Sequence, residues 1–557
     1  MMTSIGFCEQ SNHFVVRLAY ENRDVMDDVP QRKWNRSTKN WEVPGTIQDF
    51  EHLAEALGKR GMEFTISDIA KSHKERLHSQ SIQQTANAIT GLRPKVNPYK
   101  HQKDGFEFLA KKHRGALLWE MGTGKTAVAS WFLDALFYGS CARSALVVAP
   151  NSVKGNWVVE LQKHSWIPAD RIFLLDGQRP ERLQTLQRAK AATCPVVVVN
   201  YEGVLTLFEE LTSFGFGAIV ADESTFIKSI TAKRSKAMIK LGEKVEWKAI
   251  LTGTPYTNSP LDIYTQLKFL DASYIPESYH SFKSRYCIPN PRIPNAIVGY
   301  RSLEHLRERL VPHVSRKLKS ECLDLPEKTY ETRQIEQTPE QKRIYRELTQ
   351  EFLCFLEEQG KEGATLSITA PMILTRLVRL SQVASGFVKT DQGEIVPVPS
   401  GKMAELENVL DEIEGQKVII WCHFRYEMSC IEALLKKKGM KFVQIHGDVP
   451  PPDRTEANKQ FQEDPRVQVF LGQVQTAGMG LTLTAAANVV YYSNTFSLSD
   501  RLQSEDRCHR IGQNKAVTYV DIVVSKTIDE KIVQALRKKQ SMVDILTGDG
   551  LKEMMRE

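Results

Sequence analysis

The stretch EMGTGKT (120–126) sets Gly122 and Gly124 on either side of Thr123, with Lys125 and Thr126 directly after. Glycines let backbone N–H groups come close to a phosphate. A lysine at this spacing can meet β and γ phosphates as a cation, and the threonine hydroxyl can hold Mg2+. The acidic pair Asp222 and Glu223, in ADESTF, has the types needed to hold Mg2+ through water and to orient or deprotonate an attacking water. Thr252 and Thr254, in LTGTP (251–255), carry hydroxyls that can report phosphate state to neighbouring segments. Far along the chain, SEDRCHRIGQ (504–513) places Arg507 and Arg510 three apart. On a helix that spacing means one face. Two guanidiniums side by side call for a multivalent anion, and phosphate accepts bidentate contacts.

These groups need strands to carry them. Apolar runs recur at GALLWEM (115–121), SALVVAP (144–150), PVVVVN (195–200), FGAIVADE (216–223) and WKAILTGT (247–254). A second series comprises KVIIWCHF (417–424), KFVQIHG (441–447), VQVFLGQV (467–474), NVVYYSN (488–494) and VTYVDIVV (517–524). Continuous Val/Ile/Leu runs suit strands buried on both faces of a parallel sheet, and the helical periodicity between them makes βαβ units the expectation. Most polar clusters fall where a strand ends, the side on which open α/β sheets bind ligands. Trp119 stands where the full P-loop pattern has glycine, so the match is to the shorter GxGKT core.

The chain has 557 residues, enough for three or four domains by length, with 41% apolar and 25% charged residues and a net charge of +7. This mild basicity fits a polyanionic partner without requiring one. Nine cysteines, none in a CxxC pair, argue against structural zinc and a disulfide framework and for a reducing compartment. No apolar run approaches a membrane span, and the N-terminus has no signal pattern.

The order EMGTGKT, DEST, LTGTP, AGMGLTLTAAANVV, QSEDRCHRIGQ closely resembles the Swi/Snf-type ATPases of helicase superfamily two, over residues 95–545. The resemblance implies an α/β fold: two RecA-like parallel-sheet lobes with helical insertions. It implies Mg-ATP hydrolysis at the cleft between lobes and translocation on double-stranded DNA. In PYKHQKDGFEFL (98–109), Gln102 resembles the adenine-contacting glutamine. APNSVKGNW, NYEGV, HGDV and QTAGMG resemble segments that grip the DNA backbone, through Ser152, Tyr201, His446 and Thr476, with Gly480 in a coupling role beside Thr252 and Thr254. In the same pattern Arg507 and Arg510 face the γ-phosphate as arginine fingers, with Gln503 beside them. One departure stands out: where the family's DExH box ends in histidine, this chain has Thr225, which passes a hydrogen bond but holds no proton charge near neutral pH.

The N-terminal QRKWNRSTKNWEVP (31–44) interleaves Trp34 and Trp41 with Arg32, Lys33, Arg36 and Lys39. This suits rings stacking on bases and charges meeting phosphates, while composition alone favours two core tryptophans of a small β-rich fold. WNRSTKNWEVP resembles the HepA-related (HARP) module of annealing helicases, which implies binding to forked DNA. The expected organisation is a HARP-like α+β module at 1–85, RecA-like lobe one at 95–325, a helical protrusion at 326–400 and lobe two at 401–557, with 78–96 as a polar linker. The resemblance implies a monomeric DNA-dependent ATPase and translocase using ATP and Mg2+. Its expected work is strand annealing or fork remodelling in DNA repair. A motor that strips proteins from duplex DNA and an ATP-gated clamp stay open beside it. The expected location is the cytoplasm of a bacterial or viral host, associated with the nucleoid, or the nucleus of a eukaryote.

Overall fold

The computed structural model describes residues 3–29, 32–45, 47–253, 259–289, 297–361, 370–390, 392–477 and 481–538. Thr254 and Gly480 lie outside them. The chain divides into two compact units. One holds Met1–Glu120 and Gly124–Cys322; the other holds Leu323–Glu557 together with Met121–Thr123.

The first unit is built on a seven-stranded, all-parallel sheet. Its order is Val314–Lys317, Arg114–Trp119, Trp247–Leu251, Ala218–Asp222, Ala145–Ala149, Val196–Asn200, Ile172–Leu174. Successive strand residues point to opposite faces. Val147, Val198, Val220 and Ala249 therefore join one core, and Val148, Val197, Ile219 and Ile250 the other. Helices cover both faces, which is why these strands read as unbroken apolar runs. All five expected strands of the first series are present; Ile172–Leu174 and Val314–Lys317 extend the sheet at its two edges.

Ahead of this sheet stands a small module. Its five strands run in the order Lys33–Asn35, Asn40–Pro44, His13–Arg17, Thr3–Cys8, Phe64–Ile66 around Ile5, Phe14, Val16 and Phe50. The expected linker at 78–96 is not one. Helix Asp68–Thr90 runs through most of it, so the boundary at residue 85 falls inside a helix. Its sequence is polar, but Ala88 is buried in the core beneath helix Lys125–Tyr138, and a Cβ on Gly91 would strike the Ala135 backbone. A few small residues at the contact do what a long apolar stripe does elsewhere.

The second unit has a six-stranded parallel sheet, ordered Lys328–Ile335, Val517–Val524, Asn488–Tyr491, Val418–Cys422, Val467–Gln473, Lys441–Ile445. The strand Lys328–Ile335 was expected within the 326–400 protrusion, yet it pairs with Val517–Val524 along its whole length. The helices of that region begin only after this strand. Thr338 caps helix Pro339–Lys361 by accepting from the Gln341 N–H at 3.2 Å, and Gly386, at φ +90°, stands just beyond helix Ala370–Ala384. Phe352, Leu377 and Leu380 of these helices bury against Ile528, Ile532 and Leu536 of helix Ile528–Arg537.

Candidate functional site

The strand Arg114–Trp119 leads into a loop and then helix Lys125–Tyr138. Gly122 and Gly124 both adopt positive φ, +77° and +89°, a conformation that favours glycine, with Thr123 between them. Lys125 folds back into the loop, its ammonium donating to the carbonyls of Trp119 at 2.7 Å and Glu120 at 3.1 Å. Thr126 follows in the first helical turn. Gln102 is buried on helix Lys100–Lys112, where its Oε1 accepts from the Tyr99 N–H at 3.0 Å. Its Nε2 lies 2.1 Å from where a Cβ on Gly124 would stand, so the glutamine seals the loop's flank.

Trp119 also finds its reason here. Its ring lies against Gly105 of the same helix, 2.3 Å from where a Cβ would be, and its Nε1 donates to Ser315 Oγ at 3.0 Å. The indole fills the layer beneath the loop, and the two later glycines alone make the turn.

Asp222 ends strand Ala218–Asp222, two strands from Arg114–Trp119 and in register with Leu251, which pairs with Leu117. Its Oδ2 accepts from Trp157 Nε1 at 2.8 Å, and its Oδ1 from the Glu223 N–H at 2.9 Å. Glu223 has φ +49°, so the chain turns sharply as it leaves the strand. Ser224 Oγ donates to Gln266 Oε1 at 2.6 Å, tying the turn to helix Asp262–Leu270. Thr225 lies within the short helix Ser224–Ile227 and is half-buried. Thr252 is fully buried, and its N–H donates to the Leu117 carbonyl at 3.2 Å, locking this strand end to the strand that feeds the loop.

The residues expected to meet DNA are placed unequally. Ser152 is exposed on the turn before helix Lys154–His164. His446 follows strand Lys441–Ile445, half-buried, with its imidazolium disfavoured by burial and by Arg425 and Arg454. Thr476 sits half-buried on the short helix Val474–Ala477. Tyr201 corrects the expectation. It is fully buried, stacked on Phe226 at 5.3 Å, and its hydroxyl donates to the Asp222 carbonyl at 2.7 Å. A ring next to a strand of four valines packs inward, and the surface beside it falls to Glu202. Burial, reinforced by Asp222 and Glu223, pushes the phenol well above its ordinary pKa, so it remains a donor.

In the second unit, helix Leu498–Cys508 carries Gln503 and Arg507. Gln503 Nε2 donates to Ser499 Oγ at 3.4 Å, and its carbonyl accepts from Arg507 Nε at 3.1 Å. Arg510 lies beyond the helix end. Beneath them Arg501 is buried over the Tyr491 ring at 3.6 Å, bonded to Asp521 at 2.5 Å, Asn494 at 2.7 Å and Glu505 at 2.8 Å. Burial raises the Glu505 carboxyl, but Arg501 and Lys328 outweigh it and hold the group ionised. This platform was not expected from sequence, although the Arg501–Glu505 spacing of four on one helix was its available sign. Lys402 was missed too: it is fully buried, paired with Asp529 and bonded to the Tyr492 carbonyl at 3.0 Å.

In the N-terminal module Trp34 is 45% exposed, while Trp41 packs against the core; the two rings meet edge-on at 5.2 Å. Among the described residues no group of three or more His, Cys, Asp and Glu is placed to hold a metal, and no helix is long and apolar enough to cross a membrane.

Comparison with known proteins matches residues 101–385 to the SNF2-related domain and 401–512 to the helicase conserved C-terminal domain. The mouse protein "DNA annealing helicase and endonuclease ZRANB3" is 28% identical over 500 residues, covering 86% of this chain and 43% of that one. The chain thus spans less than half of that relative's length. The Caenorhabditis elegans "SWI/SNF-related matrix-associated actin-dependent regulator of chromatin subfamily A-like protein 1 homolog" is 26% identical, covering 93% of this chain and 71% of its own. Among solved structures, the Sulfolobus solfataricus SWI2/SNF2 ATPase core in complex with dsDNA is 25% identical, covering 84% of this chain and 97% of that one, with a TM-score of 0.39. The SNF2-related match begins at residue 101, past the N-terminal module.

Proposed function

We propose that this chain, which belongs to the SNF2-related domain family, is a DNA-stimulated Mg-ATPase that translocates on duplex or branched DNA and anneals strands or remodels forks. The observation that carries the reading is the loop after Arg114–Trp119. Two left-handed glycines, a lysine turned into the loop and an oriented Asp222 carboxylate occupy the carboxyl ends of one parallel sheet. A cation-filled cradle and a fixed carboxylate fit a nucleotide and its magnesium.

When bound, magnesium neutralises charge between the phosphates. Lys125 meets phosphate oxygens, Thr126 and Asp222 hold the metal, and Gln102 recognises the base. Glu223 orients water and takes its proton. Arg507 and Arg510 supply charge to the phosphoryl group. Trp34, with Lys33 and Arg36, serves as a contact for forked DNA. Ser152, His446 and Thr476 take the backbone of the duplex. The chain acts as a monomer, in whichever compartment holds the host's DNA.

ATP turnover measured with no nucleic acid, single strand, duplex, fork and RNA tests this. Stimulation by duplex or fork above the rest is expected, and stimulation by RNA alone refutes it. Annealing of complementary strands under turnover separates fork remodelling from plain translocation.

A further inference from the structure

Asp222 is held from both faces of its sheet. Trp157 lies in the core on one face, and its Nε1 donates to Oδ2 at 2.8 Å. Tyr201 lies in the core on the other, and its hydroxyl donates to the main-chain carbonyl of the same residue at 2.7 Å. Both donors are almost wholly shut off from solvent, 2% and 0% exposed. With no water to replace either bond, a shift of either ring must move Asp222 or leave a buried donor unpaired, which is costly.

Each ring is tied to a surface segment. Trp157 stands one turn into helix Lys154–His164, directly behind the exposed turn at Asn151 and Ser152. Tyr201 opens helix Tyr201–Thr206, beside exposed Glu202. The sequence resemblance ties both segments to the DNA backbone, with Tyr201 itself turned inward from that surface, and both terminate on one carboxylate-bearing residue.

We infer that Trp157 and Tyr201 are positioning residues that transmit DNA contact at 149–153 and 200–204 to the orientation of the Asp222 carboxylate. DNA that draws on either segment settles the carboxylate where magnesium needs it, so stimulation by DNA passes through these two bonds. The inference rests on the nucleotide and DNA reading given above.

Trp157→Phe and Tyr201→Phe each keep an aromatic ring and delete one donor. Turnover is measured with and without duplex DNA, across a magnesium titration. In both variants the ratio of DNA-stimulated to basal turnover is expected to fall about 3- to 10-fold, the weight of one hydrogen bond. In Trp157→Phe the magnesium needed for half-maximal rate rises by a similar factor. Trp247→Phe is the control. It removes the same volume from the same core, and its Nε1 makes no hydrogen bond among the described residues. It should match wild type in both readouts. Folded Trp157→Phe and Tyr201→Phe with wild-type ratio and magnesium dependence overturn the inference, as does an equal shift in Trp247→Phe. Should the variants fail to fold, the indole N–H resonance of Trp157 in the wild-type chain decides. Movement on adding duplex DNA is expected; a signal that stays put overturns the relay. A wild type that hydrolyses ATP without response to any DNA overturns the underlying reading and the relay with it.

Discussion

Arg507 and Arg510 meet at a single atom: the Leu481 carbonyl oxygen accepts from the Nη1 of both, at 3.3 and 3.2 Å. Helical spacing is not the cause, because the helix ends at Cys508. The chain turns at His509, whose Nε2 is fastened to the Pro326 carbonyl at 2.8 Å, and the turn brings the second guanidinium back beside the first.

If the pair acts on phosphate as one unit, its losses will not add. Arg507→Ala or Arg510→Ala alone should lower turnover by about 10³–10⁵ while ATP still binds. The double variant should then be hardly worse than the poorer single one. Arg→Lys should restore little, since an ammonium cannot fork across two oxygens. Restoration of either alanine variant by saturating DNA would mark the arginines as DNA ligands instead.

Lys125→Ala should abolish turnover and leave the melting temperature near wild type. The lysine's ammonium donates to the Trp119 and Glu120 carbonyls of the loop itself. Calorimetric titration with ATP and a thermal melt check this together; normal turnover with an unchanged melt removes the phosphate role.

Glu223→Gln should bind ATP and DNA yet turn over at least tenfold more slowly, because general-base contributions run to about 10²–10⁴. The amide keeps the shape of the turn at φ +49° and cannot take a proton. Single-turnover hydrolysis of bound ATP measures the step directly.

The two N-terminal tryptophans should separate. Trp34, 45% exposed, can lose its ring with little effect on stability, and Trp34→Ala should weaken fork binding through lost stacking, worth about 1–3 kcal/mol. Trp41 packs on Phe14's core, so Trp41→Ala should lower the melting temperature first. Fork affinity equal to wild type in a folded Trp34→Ala chain rules out the stacking role.

His423 supplies a pH test. Burial lowers its pKa from 6.5 to about 4, and its Nδ1 has no hydrogen-bond partner among the described residues. A folded value below the unfolded one means the unfolded chain binds the extra proton. The stability linked to this group is therefore complete above pH 6.5 and is lost as pH falls toward 4. The span corresponds to about 3 kcal/mol. The melting-temperature gap between wild type and His423→Asn should narrow or invert over that window; parallel pH profiles contradict it.

The parallel sheets were legible because their strands are apolar throughout, and the phosphate loop, Asp222 and Thr252 sit where such runs stop. Edge strands such as Ile172–Leu174 escaped, being three residues long and half covered. Helix Asp68–Thr90 escaped because its contact with the core is confined to its last turn and the residues just past it, Ala88, Ile89, Gly91 and Leu92, which leave no apolar period along its length. The site was readable as residue types and not as bonds. APNSVKGNW shows a tryptophan, but nothing in the letters says that its indole reaches Asp222, 65 positions away. Tyr201 was misplaced for the same reason: the resemblance of NYEGV to a DNA-gripping segment carries no side-chain direction, and the ring after the buried valines packs inward.

The fit of Trp119 into the notch at Gly105 makes these two positions a reciprocal pair. Glycine at 119, as the full P-loop pattern has it, would leave an indole-sized hole under the loop; any side chain at 105 would collide with the ring. Either change alone should destabilise, the second by about 1–3 kcal/mol, whereas a glycine at 119 accompanied by a bulkier residue at 105 can restore the fill. A change at one of these sites is therefore best tolerated with a matching change at the other, which ties the spelling of the phosphate loop to a residue on the helix before it.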